Sequence, residues 1–483
     1  MSTTLAPERT TTPVARPWRT FFVLALCVGA FATLQNLVVP VLPVIQDDFN
    51  TSTAGVTWTV TAWLIAAAVA TPLLGRVGDM VGRRRVLLIS LGGVMVGSVL
   101  AAFAPNLEVL IAARIIQGMG GAMFPLAFGL LRDVFPRHRV PSAIGSMSAI
   151  IAIGGGIGAV LAGPLSSVIG WRGLFLVPLL LSVPGLILAR MLVPESPERS
   201  PGRLNIPAAL LLSAWLVALL LPLSDGNAWG WSSPLVIGLF ALAAVLIVAW
   251  VLVELRSEQP LVDIRTMISP AIWPMNVAAI LIGAVMFSVF AYFPRFVQVP
   301  TSTGYGLGAT VAESGLLTLP MLATMAIAGF LSGPLGRVIG FRAQIAGASG
   351  LIVVSTIALA FIHATTWEVA IAAAVFGFGL GLVYSAITSV VVQSVKPTET
   401  GVASGMNANL RTIGSSLGVT IMTAIVAGSS VGNEFPTEQA YEAGFLTVAI
   451  IGSGAILVTI VGSILASRRV VDDTAAIEVP VAA

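Results

Sequence analysis

Three sets of charged residues in this sequence can do chemistry, and each stands in an unusual place. The stretch GRVGDMVGRRR at 75–85 sets Asp79 among Arg76, Arg83, Arg84 and Arg85, between two long apolar runs. Asp79 and Arg83 are four residues apart, the spacing at which two side chains meet on one helix face. A carboxylate there can also face the positive N-terminal end of a neighbouring helix. Contacts of this kind form in one arrangement of a molecule and not in another, so they bias a two-state equilibrium. Simple topogenic charge is the alternative reading of the arginines. Arg114, in LIAARIIQGMGGA, and Arg411, in NANLRTIGSS, lie inside apolar runs. An arginine near a bilayer centre costs roughly 2.5–3.5 kcal/mol on insertion scales, so each must face protein or a water-filled space. Gln117 follows Arg114 by one turn and can share its face, and a structural hydrogen-bond hub is the bland alternative for the pair. Glu313 is the one acid placed partly within an apolar run. Buried there it would exchange protons; otherwise it is an ordinary charge at an outer mouth.

Other chemistries are poorly supplied. Cys27 is the single cysteine, which excludes an intrachain disulfide and a cysteine metal cluster. His138 and His363 are the two histidines, both near predicted helix ends, so no metal site or catalytic triad is expected. GGGIG at 154–158 does not follow a strand and is no phosphate loop.

The elements that must position these groups are membrane helices. Of 483 residues, 57% are hydrophobic and 9% charged, with a mean hydropathy of +0.99, against roughly 25% charged in a soluble domain. Such a chain cannot cover a surface in water. Candidate spans of about 20 apolar residues fall at 20–45, 54–74, 86–104, 107–131, 141–169, 171–193, 206–224, 234–254, 272–298, 310–335, 342–363, 367–393, 400–428 and 441–466, fourteen in all. The first is too long for a signal-peptide core and is expected to remain as a span. With a cytoplasmic N-terminus, 20 of the 24 Lys and Arg fall on the inside, the positive-inside pattern. Arg114, Arg172, Arg295 and Arg411 lie in helices or at their outer ends, and the outer loops carry Asp47, Asp48, Asp225, Glu434 and Glu438.

The sequence also repeats. Gly75, Gly82 and Arg84 align with Gly333, Gly340 and Arg342 at an offset of 258, and Gly145, Gly154 and Gly158 with Gly405, Gly414 and Gly418 at 260. This implies two six-helix halves related by a pseudo-twofold axis, with an unpartnered insertion between them. The expected organisation is a disordered cytoplasmic tail (1–19), an N-terminal half (20–195), two inserted helices with linkers (196–270), a C-terminal half (271–467) and a cytoplasmic tail (468–483).

With these residues in view, the chain resembles the major facilitator superfamily, in its fourteen-helix drug:proton antiporter branch. The loop GRVGDMVGRRR looks like the superfamily signature G-x-x-x-D-x-x-G-R-K/R, matched at Gly75, Asp79, Gly82, Arg83 and Arg84. LIAARIIQGMGGA looks like its R-x-x-Q-G motif, and RLNIPAALLL, WGWSSP and GVASGMNANLRTIGSSLG fit the branch. The resemblance implies an all-α membrane protein of the major facilitator fold, which is no enzyme and needs no cofactor beyond a proton gradient. It implies a secondary transporter that exports drugs or metabolites by proton antiport and rocker-switch alternating access. A facilitator or uptake symporter is the alternative on the same fold; a receptor or membrane enzyme would need a constellation that is missing. The implied setting is a bacterial cytoplasmic membrane, with both termini inside, a monomeric protein, and small molecules, protons and lipid as its partners rather than nucleic acid.

By the same resemblance, Gly75, Asp79, Gly82, Arg83 and Arg84 form a conformational latch. Arg114 and Glu313 are the candidates for proton coupling. Gln35, Asn36, Arg114, Gln117, Tyr292, Tyr384 and Arg411 would line the substrate cavity. Gly154, Gly158, Gly163 and Pro164 would make the fifth helix a smooth sliding surface between the halves. The sequence departs from the branch in two places. The first span reads TLQNLVVPVLP, with no acid, and Ala159 follows Gly158 where the branch carries a proline. Two membrane arginines without a first-span acid make the cavity net positive, which favours neutral or anionic compounds over dications.

Overall fold

The computed structural model describes residues 17–197, 199–200, 203–428 and 435–477, and among them there is no strand. Long helices follow one another from end to end. In the first half they are α1 (Pro17–Leu37), α2 (Thr53–Val81), α3 (Arg83–Ala102), α4 (Leu107–Val134), α5 (Val140–Leu174) and α6 (Leu176–Leu192). The insertion holds α7 (Ile206–Trp229) and α8 (Pro234–Arg256). The second half holds α9 (Trp273–Gln298), α10 (Val311–Ile339), α11 (Phe341–Phe361), α12 (Thr366–Ser394), α13 (Thr400–Gly428) and α14 (Glu438–Ile477). Polar residues start many of them. Ser52, Asn106, Asn205 and Ser233 cap α2, α4, α7 and α8, and Thr310 and Thr365 open capping boxes with Glu313 and Glu368.

Among the described residues, twelve helices are long and apolar enough to cross a membrane, and the pair Leu161–Leu174 and Leu176–Leu192, bent by 64°, makes a thirteenth if taken as one span. Apolarity alone therefore falls short of fourteen. The shortfall lies in α13, 29 residues long, which carries Asn407, Asn409, Arg411, Ser415 and Ser416. The expected break between 169 and 171 falls on Gly170, whose φ of +70° lies outside the helical range. Two boundaries move. α1 already includes residues 17–19, with 1–16 outside the described residues, and α14 runs to Ile477 through the segment expected as a tail, with 478–483 outside them.

The repeat is visible in the backbone. α2 and α3 are joined by Gly82 alone, at φ +119°, and α10 and α11 by Gly340 alone, at φ +83°. Only glycine takes such angles without strain. One hydrophobic core lies in the first half, joined by Val392 of α12, and another within α9–α14. A third joins α7 to both. Leu212, Trp215 and Leu216 of α7 share it with Ala68 of α2 and with Val402, Met406 and Ile413 of α13. The inserted helix thus lies along the seam between the halves.

Candidate functional site: a latch and a polar cleft between the halves

The two halves meet along α2 with α13 and α5 with α10, pairs related by the repeat. Gly75 and Gly401 bring α2 and α13 so close that a Cβ on Gly75 would stand 2.8 Å from the Gly401 carbonyl oxygen. One turn further, Gly405 faces Thr71 and Pro72. In the other pair, Gly333 lies against Ser142, and Gly145 and Ala149 lie against Gly329. Small residues at these positions allow the approach.

The signature loop sits at one end of this seam. Asp79 is 1% exposed and accepts hydrogen bonds from the amides of Gly401, at 3.0 Å, and Val402, at 3.2 Å. These belong to the first turn of α13, where helix amides lack intrahelical partners and the helix dipole favours an anion. Arg83, equally buried, pairs with Asp79 at 2.7 Å and with Asp133 of α4 at 2.9 Å, and donates to the Pro397 carbonyl of the other half. Arg84 donates to the Val193 carbonyl at 3.1 Å, and Glu195 accepts from the Arg84 amide at 2.9 Å. A Cβ on Gly82 would stand 2.6 Å from the Glu195 carboxyl carbon. The five predicted latch residues are therefore brought together.

The sequence missed their partners. Arg132 reaches into the other half, donating to the carbonyls of Val392, at 2.6 Å, and Val395, at 2.8 Å. Asp133 holds Arg83 and accepts from Ser196 at 2.5 Å. Further along the seam Asn409 donates to the Ala68 carbonyl at 2.6 Å.

Past the signature loop lies a narrow cleft lined by Phe124, Pro125 and Phe128 of α4, Tyr384 and Thr388 of α12, and Ser404, Asn407 and Arg411 of α13. Its free space is that of about one water molecule. The Arg411 guanidinium lies 3.8 Å from the Tyr384 ring centroid and donates to Asn407 at 3.1 Å. Asn407 in turn donates to Asn276 of α9 at 3.1 Å. Two predicted cavity residues, Tyr384 and Arg411, thus meet at one site.

The remaining predicted residues lie elsewhere. Arg114 and Gln117 are fully buried inside the first half and do not line this cleft. Arg114 donates to the Thr59 carbonyl at 3.0 Å and to Gln117 at 2.8 Å, Gln117 donates to Ser98 at 3.0 Å, and the guanidinium lies 5.0 Å from the Trp63 ring. Its Nη2 has no partner. Tyr292 is buried between α9 and α13, donating to Thr423 at 2.7 Å. Gln35 is half-buried on α1, and the Asn36 side chain lies outside the described residues. Glu313 is not buried. It is exposed at the start of α10, and its carboxylate accepts from the Thr310 amide at 2.8 Å in the capping box.

The glycines of α5 divide their work. Gly154 and Gly158 seat α1 of the same half, facing the backbone of Gly29 and Thr33. Gly163, beside Pro164, has open space around it. The contact with the other half falls instead to Gly145 and to Gly156, which meets Leu322. Asp225, read from the sequence as an outer-loop charge, lies within α7 and is buried.

Comparisons with known proteins agree with this architecture. A family model described as the Major Facilitator Superfamily matches residues 24–419. The tetracenomycin C resistance and export protein of Streptomyces glaucescens is 27% identical over 434 residues, covering 88% of this chain and 78% of that one. The methylenomycin A resistance protein of Streptomyces coelicolor is 29% identical over 421 residues, covering 84% of this chain and 86% of that one. Among solved structures, the human organic anion transporter MFSD10 (TETRAN) superposes with a TM-score of 0.67 at 17% identity, over 93% of this chain and all (100%) of that one.

Proposed function

Since the chain belongs to the Major Facilitator Superfamily, a family of membrane transporters, we propose that it exports amphipathic small molecules in exchange for protons. The resistance and export proteins among its relatives support the direction of transport. In this reading all fourteen long helices cross a bacterial cytoplasmic membrane, both termini are cytoplasmic, and the latch closes the cytoplasmic end. Release of Asp79 from the first turn of α13 lets the halves rock, and the cleft at Arg411 widens to admit a substrate.

The observation that carries the substrate class is the cleft itself. It holds the Arg411 guanidinium against Tyr384, and no carboxylate stands among its lining residues. Such a surface suits neutral or anionic aromatic compounds better than dications. The test is transport in proteoliposomes under an imposed pH gradient. Anilinonaphthalene sulfonate would serve as the anionic probe, ethidium as the monocation and a bis-quaternary ammonium as the dication. Anion movement with opposed proton flux is the expected result. Efflux of the dication without the anion would overturn the charge assignment. Probe movement without proton flux would make the protein a facilitator.

A further inference from the structure

α7 contains a carboxylate that none of the contacts described so far uses. Asp225 is 5% exposed. The Thr61 hydroxyl of α2 is its polar neighbour, and its Oδ2 is buried without a hydrogen-bond partner. Thr61 is itself buried. Beside the acid, Trp231 folds back across α7, so close that a Cβ on Gly226 would stand 2.7 Å from its ring. Gly230, at φ +81°, makes the turn that sends the tryptophan there.

No cation faces this carboxylate among the described residues. The helices packed against α7 are α2, α8 and α13. On α2 the charged groups are Arg76 and Asp79, 15 and 18 residues beyond Thr61, about 22 Å or more along the helix. On α8 they are Glu254 and Arg256, at the end opposite Pro234, where the chain arrives from α7. On α13 there is Arg411, which is engaged with Tyr384 and Asn407. An ionised carboxylate buried without a counter-ion is strongly disfavoured, and taking up a proton removes that cost. An ionisable group inside a membrane span is by default a functional one.

We propose that Asp225 is a membrane-embedded proton-binding site, loaded in the closed-latch arrangement seen here. The carboxylate takes one proton on Oδ2 and becomes a neutral carboxyl beside the Thr61 hydroxyl. α7 shares its apolar core with α13 as well as with α2, so rocking of the halves must shear one of these contacts. Sliding of α2 along α7 parts Thr61 from Asp225, admits water and lets the proton leave. The inserted helices thereby gain a role, since they set a titrating group on the seam between the halves. The part this group plays in the cycle rests on the antiport reading; the proton site does not.

Infrared spectroscopy of the purified full chain tests the site directly. The wild type should show the carbonyl band of a protonated carboxyl at neutral pH. Asp225→Asn should remove it, and Thr61→Val should shift its frequency without removing it. Absence of the band in the wild type, or its survival in Asp225→Asn, overturns the proposal. The anilinonaphthalene sulfonate assay then tests the role. Asp225→Asn should lose probe-driven proton flux while counterflow of the probe persists, and Asp225→Glu should restore the flux. Wild-type flux that Asp225→Asn leaves intact removes Asp225 from the cycle. A wild type that moves no protons but shows the band retires the antiport reading and leaves the proton site standing.

Discussion

The α2–α3 and α10–α11 junctions share one backbone and differ in what they do. Each is a single left-handed glycine between two long helices, and each stands where its half approaches the other. At the repeat offset, Asp79 corresponds to Arg337. Asp79 is buried and caps the first turn of α13. Arg337 is exposed and makes one long contact, 3.4 Å to Ser142 near the start of α5. A carboxylate is stabilised at a helix N-terminus and a guanidinium is not. The pseudo-twofold therefore holds for the chain path and fails for the electrostatics. One crossing is fastened by charge; the other rests on small-residue packing.

Four experiments put this contrast at risk. The largest effect is expected from Asp79→Ala, which leaves two amides and the buried Arg83 short of a partner. Removing one member of a buried ion pair costs about 3–5 kcal/mol. Spin-label distances across Gly75 and Gly401 should broaden toward an open latch, and export should fall below a tenth of wild type. An unchanged distance distribution would show that packing alone holds the crossing.

Next in size is a paired experiment on the two junction glycines. Gly82→Ala adds a strained φ, worth about 1–3 kcal/mol, and a collision with Glu195; Gly340→Ala adds the strain in open space. Thermal unfolding in detergent should show the larger loss at Gly82, and equal losses would mean that Glu195 yields freely. Arg411→Gln removes a cation–π contact worth roughly 0.5–2 kcal/mol, and preference for the anionic probe over the cationic one should fall severalfold. The smallest effect belongs to Arg337→Asp, which sets a carboxylate near the first turn of α5. That is worth about 0.3–1 kcal/mol, seen as a roughly two- to fivefold slower opening by stopped-flow fluorescence.

Much of the fold was legible because bilayer helices write themselves as apolar runs and their turns as charge and glycine. The cluster proposed as a latch was legible for a related reason: Gly75, Asp79, Gly82, Arg83 and Arg84 lie within ten residues of one another. Their partners were not. Asp133, Glu195, Pro397 and Gly401 come from other helices and the links between them, and no local pattern marks which distant amide a carboxylate will cap. The same limit misplaces Arg114, because a mid-helix arginine can face a cavity or its own half, and only packing decides. Glu313 reads as a partly buried acid, although Thr310 three residues before it is the signature of a capping box. Asp225 is lost by rule, because a charge is allowed to end the apolar run, while the helix continues to Trp229.

The Asp79 cap has one more consequence, and it is kinetic. Amides in the first turn of a helix ordinarily have no internal acceptor and exchange their hydrogens with water readily. Those of Gly401 and Val402 are held by a carboxylate from the opposite half. Their deuterium uptake is therefore gated by separation of the halves rather than by fraying of α13. A peptide covering the start of α13 would clock each opening of the unlabelled protein, before any transported compound is known.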